Sequence, residues 1–131
     1  MNKVNKNFLK NSHYIVDLKL CSIRLINNCK FPWIILIPNR KKITDITELN
    51  SKDQILLIKE IVFCSKIMKS QFRTSKLNIE KIGNIVSQLH IHIIARSKND
   101  STWPLSVWVT KDKPYLKKTL VAAINKLKKA F

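Results

Sequence analysis

The chain has 131 residues, of which 45% are apolar, so its length and composition suit one domain with a buried core. Its 25 Lys and Arg residues outnumber its 8 Asp and Glu residues, and the net charge of +17 favours anionic partners such as phosphates. The most apolar run, residues 33–37, is too short to span a membrane, and residues 1–12 lack the apolar stretch of a signal peptide. We therefore expect a cytoplasmic protein that makes no membrane contact.

The cysteines and the basic residues indicate which metals or macromolecules the protein could bind. Cys21, Cys29 and Cys64 are odd in number and form no C-x-x-C pair, so reduced thiols fit better than a disulfide framework or a thiolate metal site. Lysines occur in nearly every segment and form no stripe with interleaved aromatic residues. This spread favours general lysine richness over a dedicated nucleic-acid surface, although the charge keeps nucleic acid open as a partner.

The first third of the chain predicts a polar arm followed by a hairpin. Residues 1–12 are rich in Lys and Asn and form the arm, and residues 13–131 form a single domain in this interpretation. Partial alternation of apolar residues over 14–26 predicts a half-buried strand. Residues 27–32 contain Asn and Pro and predict a turn, and the apolar run 33–37 predicts a central strand.

Helical spacing appears twice in the remaining sequence. Ser51 and Gln54 form a candidate capping box, which predicts a helix that begins there and runs to about Gln71. Residues 77–82 alternate and predict a strand. From Pro114 onward, apolar residues recur at steps of three and four, which predicts an amphipathic helix at the C-terminus.

The stretch QLHIHII, which begins at Gln88, carries two of the three histidines in the chain. Successive side chains of an extended strand point to opposite faces, so Gln88, His90 and His92 are predicted to share one face. Neighbours in that row would lie roughly 7 Å apart, close enough for one substrate group to contact more than one of them. The spacing therefore predicts a site.

The segments on either side of this row supply further candidates. Gly83 is the only glycine, which indicates a backbone position with positive φ or a close approach, and Gly83-Asn84 predicts a turn whose amides bind phosphate. Residues 85–96 are predicted to form the strand that carries the histidines. The polar loop that follows contains Trp103 and Trp108, which either cap the core or border a nucleotide site.

A neutral imidazole on a rigid strand can attack phosphorus near pH 7, and a second polar group on the same face can bind phosphoryl oxygens. His90 and His92 therefore fit phosphoryl or nucleotidyl transfer. Two alternatives stay open. The pair has a metal-ligand spacing, although His13 and the cysteines have no evident reason to lie near it, or both histidines are ordinary polar residues of a sheet surface.

These residues also carry a resemblance to a known family. The segment SQLHIHII, from Ser87 to Ile94, resembles the signature His-φ-His-φ-His-φ-φ of the histidine triad (HIT) superfamily, in which φ is apolar. Gln88 replaces the first histidine, as in a bacterial subfamily with the motif Gln-φ-His-φ-His. Other segments resemble the same subfamily: FPWIILIP at 31–38, GNIVSQ at 83–88, Ala95-Arg96, Trp103-Pro104 and Val107-Trp108.

The resemblance implies a fold and an assembly. The implied fold is α+β, with a central antiparallel sheet of about five strands, one long helix between the hairpin and the motif strand, and a C-terminal helix. A homodimer is implied as well. The order of predicted strands and helices agrees with that fold.

The resemblance also implies residue roles. His90 corresponds to the family nucleophile, and His92 to the histidine that contacts the phosphate and the leaving-group side. Gln88 replaces a histidine with an amide, which can hydrogen-bond but cannot ionise. Among the looser matches, Asn78 corresponds to a phosphate contact, and Asn27 or Asn28 to the residue that holds the ribose hydroxyls.

The activity implied is hydrolysis or transfer at the α-phosphate of a nucleoside monophosphate derivative, through a covalent nucleotidyl-histidine intermediate. No cofactor is implied, and Mg²⁺ enters only as a companion of a dinucleoside polyphosphate substrate. The alternative is a catalytically weak protein that uses the same scaffold to bind nucleotides or nucleic acid.

Overall fold

The computed structural model describes residues 4–131, so the first three residues of the predicted arm lie outside the described residues. The helices and strands follow one another in this order: α1 Lys6–Asn11, β1 Ser12–Asp17, β2 Cys21–Ile26, β3 Trp33–Pro38, α2 Ser51–Gln71, β4 Leu77–Glu80, β5 Ile91–Ala95 and α3 Lys117–Ala130. Short 3-10 turns occupy Ile46–Glu48 and Val107–Val109. Within the described range, none of the helices has both the length and the apolar character needed to cross a bilayer.

The strands form one antiparallel sheet in the order β1-β2-β3-β5-β4. Every residue of β3 is buried, as its run of apolar side chains predicts for a strand covered on both faces. The α+β fold with about five antiparallel strands, one long helix and a C-terminal helix is confirmed.

Alternation along β5 divides the two faces of the sheet. Ile91 and Ile93 belong to a core cluster that includes Leu57 and Met68 of α2 and Leu127 of α3. His92, between the two isoleucines, therefore points to the opposite face, away from both long helices. That opposite face is where the sheet carries its candidate site.

The beginning of α2 differs from the predicted capping box. Asn50 is the N-cap residue, and its side chain accepts a hydrogen bond from the backbone N–H of Asp53 at 2.8 Å. Ser51 is the first helical residue, and Gln54 donates to the carbonyl of Leu49. Asn caps a helix as well as Ser does, so the correction is a shift of one residue.

Two predicted strands are shorter than expected. The predicted strand over 14–26 is divided into β1 and β2 by a turn in which the Glu60 carboxylate accepts from the backbone N–H groups of Leu20 and Cys21. The predicted strand over 85–96 is regular only from Ile91 to Ala95. Neither neighbouring strand pairs with its earlier part. Pairing with β4 ends at Glu80 opposite His92, pairing with β3 ends at Leu36 opposite Ile91, and the backbone N–H of Leu89 donates to the carbonyl of Ile43.

The predicted polar arm contains a helix. α1 follows the N-cap Asn5, whose side chain accepts from the backbone N–H of Asn7, and its Phe8 side chain is buried against the sheet. Phe8 packs with Ile35 and Ile37 on the face opposite α2. The few apolar residues here, Val4, Phe8 and Leu9, stand among Lys and Asn and are too few to give a helical period, so the sequence pattern did not indicate this helix.

Candidate active site

A cavity of about 770 Å³ lies on the sheet face opposite α2 and α3. Its walls come from α1, the ends of β2 and β3, the turn at 82–86, the two histidines and the segment after Val107. The described residues that line it are Asn7, Phe8, Asn11, Ile26, Asn27, Trp33, Ile82, Gly83, Asn84, Ile85, Val86, His90, His92, Trp108, Asp112 and Pro114. The volume suits a ligand of nucleotide size.

His90 lies immediately before β5 and is 6% exposed. Its Nδ1 atom is 2.7 Å from the backbone carbonyl oxygen of Gln88. A carbonyl can only accept, so Nδ1 carries the proton and Nε2 of the neutral ring keeps its lone pair. Burial is the main cause that lowers the pKa of His90 below its usual value. The ring is therefore a neutral nucleophile at physiological pH.

His92 has the opposite arrangement of its ring nitrogens. The indole N–H of Trp33 donates to Nδ1 of His92 at 3.0 Å. An indole can only donate, so Nδ1 is unprotonated and Nε2 carries the proton. Burial, with a smaller effect of His90, lowers the pKa of His92 to about 3. His92 is therefore a neutral hydrogen-bond donor through Nε2.

The two rings lie next to each other, with centroids 4.8 Å apart and planes inclined by 73°. The hydrogen-bond partners of Nδ1 fix one tautomer in each ring: His90 offers a lone pair, and His92 offers an N–H group. An electrophile with adjacent oxygen atoms, such as a phosphoryl group, can meet both. This pairing fits nucleophilic attack at one ring with stabilisation of developing oxygen charge at the other.

Trp108 forms the cavity wall beside His92. Its ring contacts those of Trp33 and His92 with centroid distances of 5.0 and 5.2 Å. Its indole N–H donates to the Glu80 carboxylate at 3.0 Å, and Glu80 is the strand partner of His92. Sequence reasoning missed Glu80, although alternation along β4 could have placed it on this face.

Four of the predicted substrate-binding residues line the cavity: Asn27, Gly83, Asn84 and Trp108. Gly83 has φ of +72°, which confirms the positive φ predicted for the lone glycine. Asn27 accepts a hydrogen bond from the backbone N–H of Tyr115 through its side chain. This bond fixes Asn27 at the cavity edge.

Gln88 and Asn28 are not among the described residues that line the cavity. The regular strand begins at Ile91, so alternation does not extend to Gln88, whose side-chain oxygen instead accepts from the backbone N–H of Asn5 at 2.8 Å. Asn28 is fully buried and donates to the carboxylate of Asp112 at 3.2 Å. A direct substrate contact by either residue stays a prediction.

Asn78 and Trp103 are also not among the described residues that line the cavity. Both contact the buried side chain of Arg96. Arg96 donates to Asn78 Oδ1 at 2.7 Å, and its guanidinium lies 5.5 Å from the Trp103 ring centroid. Arg96 also forms a two-bond ion pair with Asp100. In this arrangement Asn78 and Trp103 support the loop after β5, and their predicted substrate contacts stay predictions.

Among the cavity residues that sequence reasoning missed are Phe8 and Asp112. Phe8 contacts the His90 ring edge-on at a centroid distance of 4.6 Å, and Asp112 brings a carboxylate to the side of the cavity near Asn27. Each is more than 60 positions from one of the elements it faces. No short-range pattern could have placed them there.

A metal site would need more ligands than the two histidines. Within residues 4–131, no group of three His, Cys, Asp or Glu side chains is arranged to hold a metal ion. A protein metal site commonly uses at least three such ligands. The expectation that the protein needs no resident cofactor stays a prediction.

The chain is similar to known proteins in sequence and in fold. Residues 7–99 match the family model described as HIT domain, whereas no curated protein matches the chain. A histidine triad (HIT) protein from Sinorhizobium meliloti 1021 is 32% identical, with a TM-score of 0.93 and coverage of 98% of this chain and 96% of that chain.

Two further solved structures show the same degree of similarity. A histidine triad protein from Bradyrhizobium japonicum is 32% identical, with a TM-score of 0.93 and coverage of 98% of this chain and 96% of that chain. A histidine triad protein from Marinobacter aquaeolei VT8 is 31% identical, with a TM-score of 0.93 and coverage of 98% and 94%. The similarity spans almost the whole chain in all three.

Proposed function

This chain belongs to the HIT family of nucleotide-binding proteins and nucleotide hydrolases, and we propose that it is itself a nucleotide hydrolase or transferase. Its substrate would be a dinucleoside polyphosphate or a nucleoside phosphoramidate, attacked at the α-phosphate. The observation that carries the proposal is the fixed pair of opposite tautomers in His90 and His92.

In the first step, Nε2 of His90 attacks the α-phosphorus, a phosphorus–nitrogen bond forms and the bond to the leaving group breaks. The leaving group departs with the electron pair of that bond and takes up a proton. Nε2–H of His92 donates to a phosphoryl oxygen or to the leaving-group atom as negative charge develops there. In the second step, water attacks the phosphorus and releases a proton to solvent. The phosphorus–nitrogen bond breaks, its electron pair returns to Nε2, and the nucleoside monophosphate leaves with His90 in its neutral form.

The cavity supplies contacts for each part of such a substrate. Phe8 and Ile26 offer apolar surface for a base, and Asn27 is proposed to contact the ribose hydroxyls. The Gly83-Asn84 turn lies at the same cavity and is proposed to bind phosphate through backbone N–H groups. The proposal includes no resident cofactor, with Mg²⁺ entering only with a polyphosphate substrate, and it places the reaction in the cytoplasm.

A homodimer is part of the proposal. The strand β4 is at the edge of the sheet, and its Ile79 side chain is 50% exposed. On α2, Ile55 and Ile58 are also exposed and lie three positions apart, so they lie on one face of the helix. An unpaired strand edge next to exposed isoleucines favours association with a second copy. Sedimentation equilibrium would measure the assembly state.

The central experiment tests for the covalent intermediate. The protein is incubated with diadenosine polyphosphate or adenosine phosphoramidate, AMP release is followed, and a quenched sample is kept alkaline for mass spectrometry. We expect AMP release and a mass increase of one adenylyl group on the peptide that contains His90. His90→Ala should lose both, whereas His13→Ala, a matched change outside the cavity lining, should keep both. A His90→Ala variant as active as wild type would reject the mechanism.

One observation favours a second candidate, binding of nucleic acid without turnover. Every lysine of α2 and α3 is exposed, whereas the acidic residues of these helices, Asp53 and Glu60, are buried. A face with cations and no exposed carboxylate attracts a phosphate backbone. Fluorescence anisotropy with single-stranded RNA would support this candidate if affinity fell steeply with salt while no AMP was released.

A further inference from the structure

Gln88 makes two different contacts that end at the same histidine. Its backbone carbonyl lies 2.7 Å from Nδ1 of His90 and fixes the tautomer of that ring. Its side-chain oxygen accepts from the backbone N–H of Asn5 at 2.8 Å, across 83 positions of sequence. Asn5 is the N-cap residue of α1, so this bond ties the beginning of the helix to the histidine segment.

The helix α1 carries the residue that covers His90. Phe8 is buried, lines the cavity and presents its ring to the His90 ring at a centroid distance of 4.6 Å. At its other end, α1 continues into β1, and the carbonyl of Asn11 accepts from the backbone N–H of Asn27 at 2.9 Å. A helix of six residues is marginal by itself, so these tethers position Phe8 together with the Ser12 hydroxyl, which donates to the Phe8 carbonyl, and the packing of Phe8 on Ile35 and Ile37.

We propose that Gln88 is a positioning residue: its side-chain amide holds the N-terminal helix α1 so that Phe8 covers the ring of His90. The part of this proposal that concerns catalysis rests on the function proposed above. The amide then acts through the helix, and its own side chain need not reach the substrate. In this role Gln88, at the first position of the motif, affects His90 although it does not line the cavity.

The proposal makes the burial of His90 depend on Gln88. Burial is the main cause that lowers the pKa of His90, and the bond to the Gln88 carbonyl acts in the opposite direction. The other charged or titratable groups that act on His90, among the described residues, are Lys81 and His92, and neither belongs to α1. Displacement of α1 should therefore raise the pKa of His90 by readmitting water, while the backbone bond remains.

The experiment measures the titration of His90 directly by NMR. Gln88→Leu removes the acceptor but keeps a side chain of similar size, and Gln88→Glu keeps an acceptor. In Gln88→Leu we expect the His90 titration midpoint to rise by about half a pH unit. Faster hydrogen exchange is expected at the amides of Phe8 and Leu9, which donate to the carbonyl of Asn5 in wild type. Gln88→Glu should restore the exchange rates toward wild type, and only hydrogen exchange is compared in that variant, because its carboxylate would itself raise the His90 midpoint.

Kinetics test the catalytic part. Since kcat/KM reports the free enzyme, its acid limb should move to higher pH by the same half unit or so in Gln88→Leu, with a loss that approaches about three-fold on the acid side of the midpoint. Leu9→Ala changes a side chain that is 54% exposed on the same helix and should leave the titration and the rate unchanged. A shift in the His90 titration without a shift in the acid limb would overturn the catalytic part.

An unchanged His90 titration in Gln88→Leu would overturn the proposal. If that variant does not fold, Phe8→Leu provides the second test, because it removes the ring that contacts His90. It should raise the His90 midpoint in the same direction, and an unchanged midpoint would again overturn the proposal. If wild type released no AMP, the proposed function would fail, whereas the NMR titration and hydrogen exchange would still decide the role of Gln88.

Discussion

His92 is enclosed by groups that belong to the sheet, whereas His90 is covered by a helix that precedes it. Trp33 of β3 donates to His92, and Trp108 packs on it while bonded to Glu80 of β4. On the other side, Phe8 reaches His90 from α1, which is joined to the histidine segment through Gln88.

The two histidine rings are therefore held in position by different parts of the structure. The Trp33–His92 hydrogen bond joins strands that pair directly, so its geometry is fixed by the register of β3 and β5. The cover of His90 comes instead from a short helix that is held by side-chain and backbone bonds at both of its ends and by the packing of Phe8 on β3. The donor side of the site is therefore built into the sheet, whereas the cover of the nucleophile comes from an element outside the sheet. The following predictions concern the donor side, from the largest expected effect to the smallest.

The largest expected effect comes from Arg96, which supports the loop that leads to Trp108. Arg96→Met should lower the free energy of unfolding by about 3–5 kcal/mol, because it leaves the largely buried carboxylate of Asp100 without its partner. Urea unfolding at pH 7 measures the change. Lys98→Met, on the exposed part of the same loop, should change it by less than about 0.5 kcal/mol. Equal effects of the two variants would contradict this role.

The second prediction concerns pH and the burial of His92. Its pKa in the folded protein is lowered to about 3 from a usual value of 6.5, so the unfolded chain binds a proton that the folded chain does not. Stability should therefore be complete above pH 6.5 and fall as the pH is lowered, by about 3 kcal/mol at pH 4. Urea titrations across this range measure the slope, and His92→Asn should flatten it. A slope unchanged in His92→Asn would assign the effect to other groups.

The third prediction separates the tautomer of His92 from its burial. Trp33→Phe keeps an aromatic ring in β3 but removes the donor to Nδ1, so both tautomers become accessible. We expect kcat/KM for AMP release to fall about ten-fold. Nitrogen NMR shifts should report a mixture of tautomers. Trp103→Phe, a matched change at a tryptophan outside the cavity lining, should leave the His92 tautomer unaltered.

The smallest expected effect is that of Glu80→Gln. The amide oxygen can still accept from the Trp108 indole, so kcat/KM should change by less than about two-fold. Glu80→Leu removes the acceptor and should increase the solvent quenching of tryptophan fluorescence. A loss of activity in Glu80→Gln as large as that in Trp33→Phe would mean that the charge of Glu80 takes part in the reaction.

Local patterns predicted the elements with strong periodicity. The apolar run at 33–37 gave a strand buried on both faces, and the spacing after Ser51 gave the long helix. Both depend on side chains that are close in sequence. The boundaries were less accurate, because Asn50 and Ser51 are both good caps and because neither β3 nor β4 pairs with the chain before Ile91.

The sequence by itself determined the α+β fold, the shared face of His90 and His92 and, through the motif they belong to, the family. Only the tertiary structure decided which nitrogen of each ring carries the proton, because the partners, the Gln88 carbonyl and the Trp33 indole, are set by backbone path and by strand pairing. It also turned Gln88 toward α1 and brought Phe8 to His90. Contacts between residues more than 80 positions apart are made by packing, which no local periodicity encodes.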